Sequence, residues 1–332
     1  MSLQPLRCAV VGVGHLGRWH AEKYARLPDS QLIAVVDPDA AAADRIAAEH
    51  GAESLRRHED LIGRVDAVSI AAPTSLHFPI ARDLLTAGIH VLVEKPITVT
   101  VAEAAELNRV AERQQRILQV GHLERFNPAL MRLRANRLQP RFIESHRLAP
   151  FQLRATDVSV VLDLMIHDID IILDLVRSPL VDLRATGAQV MTKDIDIANA
   201  RLEFADGCVA NVTSSRVSTR YERRMRIFQP MGYSVIDFQA RSLSTYALKA
   251  TETGEDPAGF VEERWQGEAA DALLDEIRNF LGAIRGDVAV AVDGRAGQRA
   301  LETAIQITEL VHHNLHVFEP APNPAPTGGA HA

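Results

Sequence analysis

The chain is short of cysteine, short of lysine and free of long apolar runs, and each shortage removes a class of protein. Its two cysteines, Cys8 and Cys208, fall inside stretches that read as buried strands and form no metal-type spacing, so both read as small core residues. No apolar run approaches the length that spans a bilayer, and the first residues lack a charged-then-apolar leader. A soluble, cytoplasmic protein is expected. The net charge of −7 argues against nucleic acid or a membrane surface as the main partner. At 332 residues and 47% hydrophobic content, the chain fits one large or two ordinary globular domains. Among 13 histidines, neither His312-His313 nor the Asp163/His167 pair supplies three ligands at a metal-binding spacing, so no metal is expected. Of 36 basic residues only Lys23, Lys95, Lys193 and Lys249 are lysine. Arginine stays protonated, so a lysine kept against that bias is a candidate for proton chemistry, and Lys95 is the one suitably placed.

What is present begins with Gly12-Val-Gly14-His15-Leu16-Gly17, directly after an apolar run and directly before a run with helical spacing. Such a loop needs glycine for a tight turn at 12, for close approach of backbone to a pyrophosphate at 14, and for helix–strand packing at 17. The N–H groups of the following helix would receive the phosphates. Asp37 ends the next apolar strand, where a carboxylate accepts both ribose hydroxyls and repels a 2′-phosphate. NAD is expected as cofactor in preference to NADP.

Strand signals at 7–12, 32–37, 66–71, 89–93 and 117–120 alternate with helical runs near 15–27, 39–50, 75–87 and 100–115, which is the pattern of a covered parallel sheet. Beyond residue 123 the pattern changes. Helices are expected at 126–137, 157–176, 270–285 and 295–315, and strands at 141–147, 180–191, 197–204, 208–216, 222–229 and 233–238, with a hairpin turn at Asp206-Gly207. The expected fold is α/β: an N-terminal Rossmann domain over 1–122, then a C-terminal α+β domain over 123–319 with an open, mostly antiparallel sheet. Residues 320–332, rich in proline and glycine, read as a flexible tail. An open sheet has one face on its helices and another that needs cover, so a homodimer or homotetramer is expected.

Three segments fall where a Rossmann domain presents its ligand edge. Pro73, Thr74 and His77 follow the third main strand, and Glu94-Lys95-Pro96 ends the next, with proline holding Lys95 extended. Asp163 and His167 are four apart in a helical run, and Asp170 and Asp174 continue their stripe, opposite Leu164, Met165, Ile169, Ile172 and Leu173. Taken alone the stripe is a polar helix face. Beside a dinucleotide fold and a strand-end lysine it becomes a proton-transfer site, because hydride loss from a carbinol requires a base for the hydroxyl proton.

These motifs together resemble the glucose–fructose oxidoreductase/inositol dehydrogenase/MocA-like (Gfo/Idh/MocA) family, over residues 7 to about 315. The resemblance implies oxidation or reduction of a sugar-like carbinol with NAD(P), Lys95 at the reacting hydroxyl, Asp163 assisting and His167 as acid/base. It places Pro73, Thr74, His77, Glu94, Pro96 and His122 beside the cofactor, and Arg125 and Asn127, with Asp163 and His167, beside the substrate. A narrower likeness at 121–128, 163–170, 196–203 and 226–230 points to a bacterial branch linked to lipid A biosynthesis, some of whose members resemble UDP-N-acetylglucosamine 3-dehydrogenases. A UDP-sugar is the substrate this implies, oxidised at its 3-hydroxyl. A dehydrogenase of a free sugar or inositol and a catalytically silent NAD-binding regulator stand as alternatives. Arg216, Arg220, Arg223, Arg224 and Arg226 read either as a diphosphate grip or as an exposed strand face.

Overall fold

The computed structural model describes residues 4–136, 138–152, 158–248 and 259–315, so the expected tail at 320–332 lies outside the described residues. The first sheet has six parallel strands in the order β3-β2-β1-β4-β5-β6, formed by Leu6–Val11 (β1), Ser30–Val36 (β2), Glu53–Leu55 (β3), Ala67–Ile70 (β4), His90–Glu94 (β5) and Leu118–Gly121 (β6). Helices Gly17–Arg26 (α1), Ala40–His50 (α2), Thr74–Thr86 (α3) and Val101–Gln114 (α4) connect them. The chain leaves β1 toward one edge and returns from β4 toward the other. That reversal opens a crevice at the carboxyl ends of β1 and β4, where doubly wound sheets take their ligands.

Alternation along β1 sends Cys8 and Val10 to one face and Ala9 and Val11 to the other. The Val10 face is covered by α1 together with Ile277, Phe280 and Leu281 of Ala272–Arg285 (α7), a helix from the stretch expected in the second unit. The opposite face packs on α3, α4 and the first turns of Gly294–Leu315 (α8), through Ala296 and Leu301. The later turns of α8, with Ala304, Ile307 and Val311, enter the core of the second sheet. One helix therefore belongs to both cores.

The second sheet has eight strands, in the order β14-β13-β12-β11-β7-β10-β9-β8. They are Phe142–Leu148 (β7), Leu180–Ala188 (β8), Ile197–Phe204 (β9), Val209–Ser215 (β10), Glu222–Gln229 (β11), Gly232–Asp237 (β12), Ser242–Leu248 (β13) and Phe260–Gln266 (β14). Every pair is antiparallel except β7 with β10. The inner face packs on Pro128–Arg134 (α5), Ile166–Val176 (α6) and α8. The single helix expected over 157–176 is instead a π-helical stretch at Val161–Met165 running into α6. The expected helix at 126–137 is the shorter α5, preceded by a 3₁₀ turn at Leu123–Phe126 and capped by Asn127 through a hydrogen bond from Ala129 N–H. Strands β3, β13 and β14 were not expected from sequence. Among the described residues no helix is long and apolar enough to cross a membrane.

Candidate active site

At the carboxyl ends of β1 and β2 lies a cavity of about 860 Å³, lined among others by Gly12, Gly14, His15, Leu16, Asp37, Pro73 and Leu76. Gly12 has φ +84°, and a Cβ there would stand 2.7 Å from Ala72 N. A Cβ on Gly17 would overlap the Gly12 carbonyl oxygen, so helix α1 can start against the turn only if 17 is glycine. Nothing lies within 4 Å of a Cβ built on Gly14, which leaves its backbone open to a ligand. Among the described residues the N–H groups of Gly14, His15 and Leu16 have no acceptor. An anionic diphosphate fits that set of donors. Asp37 accepts hydrogen bonds from Val13 N–H at 2.9 Å and Asp39 N–H at 2.9 Å, which fixes its carboxylate at the rim. Arg56 and Arg57 also line the cavity but pair with Asp44 at 2.8 Å and Glu59 at 3.0 Å.

Beneath this rim the expected cofactor residues divide. Pro73 caps α3 and lines the cavity, while Thr74 opens that helix. His77 is buried: its Nδ1 lies 2.9 Å from the Pro96 carbonyl and its Nε2 2.8 Å from the Ala72 carbonyl, so it ties the two loops together. Two carbonyl partners favour its cation, yet burial outweighs them and lowers its pKa. The Lys95–Pro96 peptide is cis. Glu94 accepts from His20 Nε2 at 2.9 Å. Burial alone would raise the Glu94 carboxyl, but the His20 hydrogen bond and the charges of His20, Lys95 and His77 hold it below its ordinary value. Glu276 of α7 is fully buried with neither carboxyl oxygen hydrogen-bonded, and burial, then the Glu94 charge, push it far above the carboxylate range. A neutral acid is the form that survives there.

From the end of β5, Lys95 reaches across to the second sheet's helices. Its Nζ donates to the Asp163 carbonyl at 2.7 Å and stands 3.7 Å from Asp163 Oδ1. Burial first, opposed by Asp163 and Glu94 but reinforced by Arg147, lowers the Lys95 pKa. His167 follows one turn later. Its Nδ1 is sealed without a partner, which leaves Nε2 as the accessible nitrogen. Burial and then the positive charges of Lys95 and Arg147 hold its pKa well below the usual histidine value. The His122 ring stands edge-on to His167 at 6.3 Å, fully buried, with neither nitrogen hydrogen-bonded.

Behind these side chains runs a lattice of buried ion pairs. Arg125 donates to Asp170 at 2.5 and 2.9 Å and meets Asp174 at 2.8 Å, so Asp170 and Asp174 face Arg125 and not the cleft. Asn127 is committed to its cap and to the Phe238 carbonyl at 2.9 Å. The structure thus does not bring Arg125 and Asn127 to open space, because their polar atoms already hold the backbone and the helix. Arg147 of β7 donates to Asp168 at 2.8 and 3.1 Å and to Glu124 at 2.8 Å. His20, Glu124, Arg147, Asp168 and Glu276 escaped sequence reasoning. For His20 a signal existed, three residues after Gly17 on the buried face of α1; the pairing of Arg147 with Asp168 depends on strand-to-helix contact and leaves no local mark.

Residues 6–122 match an oxidoreductase family with an NAD-binding Rossmann fold, and residues 129–232 match the GFO/IDH/MocA C-terminal domain. The UDP-N-acetylglucosamine 3-dehydrogenase of Acidithiobacillus ferrooxidans is 42% identical over 303 residues, covering 91% of this chain and 96% of its own. A solved structure of that enzyme superposes with a TM-score of 0.88 at 40% identity, covering 94% of this chain and all of the other (100%). The inositol 2-dehydrogenase of Rhizobium meliloti is 27% identical over 318 residues, 90% of this chain and 94% of its own. With its glycine loop, strand-end lysine and paired sheets, the chain belongs to the Gfo/Idh/MocA family of NAD-dependent oxidoreductases.

Proposed function

We propose that this protein oxidises the 3-hydroxyl of UDP-N-acetylglucosamine, or a close UDP-N-acetyl-hexosamine, to a ketone with NAD. The observation that carries the reading is the 2.7 Å contact of Lys95 with the helical stretch that bears Asp163 and His167, which joins the cofactor half to a proton-transfer pair. The similar enzyme from Acidithiobacillus ferrooxidans supports the choice of substrate. In this reading residues 1–122 bind cofactor and 123–319 bind substrate, with α7 and α8 shared between them. Gly12, Gly14, His15, Leu16 and Gly17 take the diphosphate and Asp37 the adenosine ribose, while Pro73, Thr74, Glu94, Pro96 and His122 shape the nicotinamide end. Bound NAD supplies a hydride acceptor. Lys95 hydrogen-bonds the reacting hydroxyl, Asp163 orients it, and His167, neutral before reaction, takes the hydroxyl proton at Nε2 as the hydride leaves carbon. Arg125, Asn127 and His77 act as positioning residues.

The reading extends to a cytoplasmic homodimer or homotetramer. Its support is the outer face of the eight-stranded sheet, where Phe142, Phe228, Tyr233 and Tyr246 form a cross-strand ladder with ring spacings of 6.1, 5.4 and 4.5 Å. Incubation with NAD, UDP-N-acetylglucosamine, a transaminase and glutamate tests the reaction, because trapping the ketone draws an uphill oxidation forward. Mass spectrometry should find an amino sugar nucleotide. Turnover of a free sugar or inositol with no trapped product from the nucleotide sugar would replace this substrate.

A further inference from the structure

Five arginines between 216 and 226 lie close in sequence, and the fold separates them. Arg216 is buried, donates to the Val158 carbonyl and stands 3.9 Å from Asp196. Arg224 and Arg226 point to the outer face of β11, since Met225 and Ile227 between and beside them are buried inward, and Arg226 pairs with Glu144 at 3.2 Å. Arg220 is 79% exposed beside Glu222. Arg223 differs from all four. It stands directly opposite Arg147 in the β11–β7 ladder, so both side chains leave the same face, the one that α6 and His167 occupy. Its charge is felt at His167.

The surroundings of Arg223 leave its guanidinium uncommitted. Its nearest anion, Glu124, is 3.8 Å away, beyond hydrogen-bond reach, and already accepts from Arg147 at 2.8 Å. Arg125 and Arg147, which also face this side, are closed off by carboxylates. Among the described residues of β11, Arg223 is therefore the guanidinium on the face of Arg147 whose donor fork is open, with 45% of its side chain exposed. In a nucleotide sugar the phosphate on the anomeric carbon lies one pyranose ring from the 3-hydroxyl. A cation on the sheet face that carries the proton-transfer group can meet that phosphate.

We propose that Arg223 grips the diphosphate of the substrate and so selects nucleotide-linked sugars over free ones, an inference that rests on the reaction proposed above. A forked guanidinium meets two phosphate oxygens at once, which an ammonium cannot do.

Calorimetry of UDP and UDP-N-acetylglucosamine binding to the NAD-loaded protein tests this. Arg223→Gln should weaken both ligands by roughly 10–100-fold, with Arg223→Lys between it and the unmodified protein. KM for the nucleotide sugar should rise with kcat held within a few-fold. Arg226→Gln, on the outer face of the same strand, should bind as the unmodified protein does, and unchanged unfolding midpoints would show that all three variants are folded. Equal UDP affinity in Arg223→Gln and the unmodified protein overturns the role of Arg223 while leaving the reaction intact. UDP binding that depends on Arg223, with no oxidation of the nucleotide sugar, leaves the grip standing and overturns the reaction. Absence of UDP binding by the unmodified protein overturns both.

Discussion

The cavity beside the glycine turn and the patch formed by Lys95, Asp163 and His167 are built on opposite principles. The cavity is made of backbone: a glycine turn, unpaired N–H groups and one anchored carboxylate, Asp37, over an apolar wall. The patch is made of side chains, with Lys95 and His167 set in front of Arg125, Arg147, Asp168 and Asp170 in a buried ion-pair lattice. Backbone recognition is a property of a short segment and survives changes elsewhere. Side-chain lattices depend on every partner, because each buried charge left unpaired carries its full desolvation cost.

That contrast can be broken in order of expected effect. If the proposed reaction holds, Lys95→Met removes the group that hydrogen-bonds the reacting hydroxyl and should lower kcat by roughly 10²–10⁴-fold, while NAD affinity stays within a few-fold. A large loss of NAD binding in that variant, measured by titration of intrinsic fluorescence, would join the two regions into one. Asp168→Ala leaves Arg147 without one of its two carboxylates and should destabilise the fold by about 3–5 kcal/mol. An unchanged denaturant midpoint would mean that the lattice is not what holds the patch.

Asp37→Ser probes the one side chain on which the cavity relies. Removing the carboxylate should shift the NAD-to-NADP affinity ratio toward NADP by roughly 10-fold, since repulsion of a 2′-phosphate and a charge-assisted hydrogen bond to ribose go together. Equal affinities for the two cofactors in the unmodified protein would remove Asp37 from that role.

The smallest effect concerns pH. His90, at the opening end of β5, accepts a hydrogen bond from Ile117 N–H at 2.9 Å, and burial, helped by Arg116, lowers its pKa from 6.5 to about 4. The unfolded chain takes up this proton near 6.5 and the folded chain resists it, so the stability present above pH 6.5 is lost as pH falls toward 4. Unfolding midpoints across that window should slope less steeply in His90→Asn. An identical slope would place the acid sensitivity elsewhere.

The same contrast explains what could be read from sequence. Gly12, Gly14, Gly17 and Asp37 were legible because turn geometry and strand ends are local, and the alternation of apolar strands with helices gave the parallel sheet. Lys95, Asp163 and His167 were legible as candidates through a strand-end proline and a four-residue helical spacing. Their ion-paired support was not, since Arg147 meets Asp168 and Arg125 meets Asp170 only after β7 and α6 have packed. Strand β14 escaped because its residues are almost all exposed, so Phe260–Gln266 shows no buried–exposed alternation. β3 is three residues long, too short to carry a period.

The return of α7 to the first sheet bears on the order in which the chain can mature during synthesis. Cys8, Val10 and Tyr24 are translated early, but Ile277, Phe280 and Leu281, which cover them, leave the ribosome only after every strand of the second sheet. A nascent chain that has finished all six parallel strands still carries a partly uncovered apolar face, a surface prone to association with other chains. Its glycine turn, already complete in sequence, sits on that half-covered sheet until α7 emerges. NAD supplied during translation should therefore protect the cofactor half from proteolysis late, when α7 is out, and not when β6 has been made.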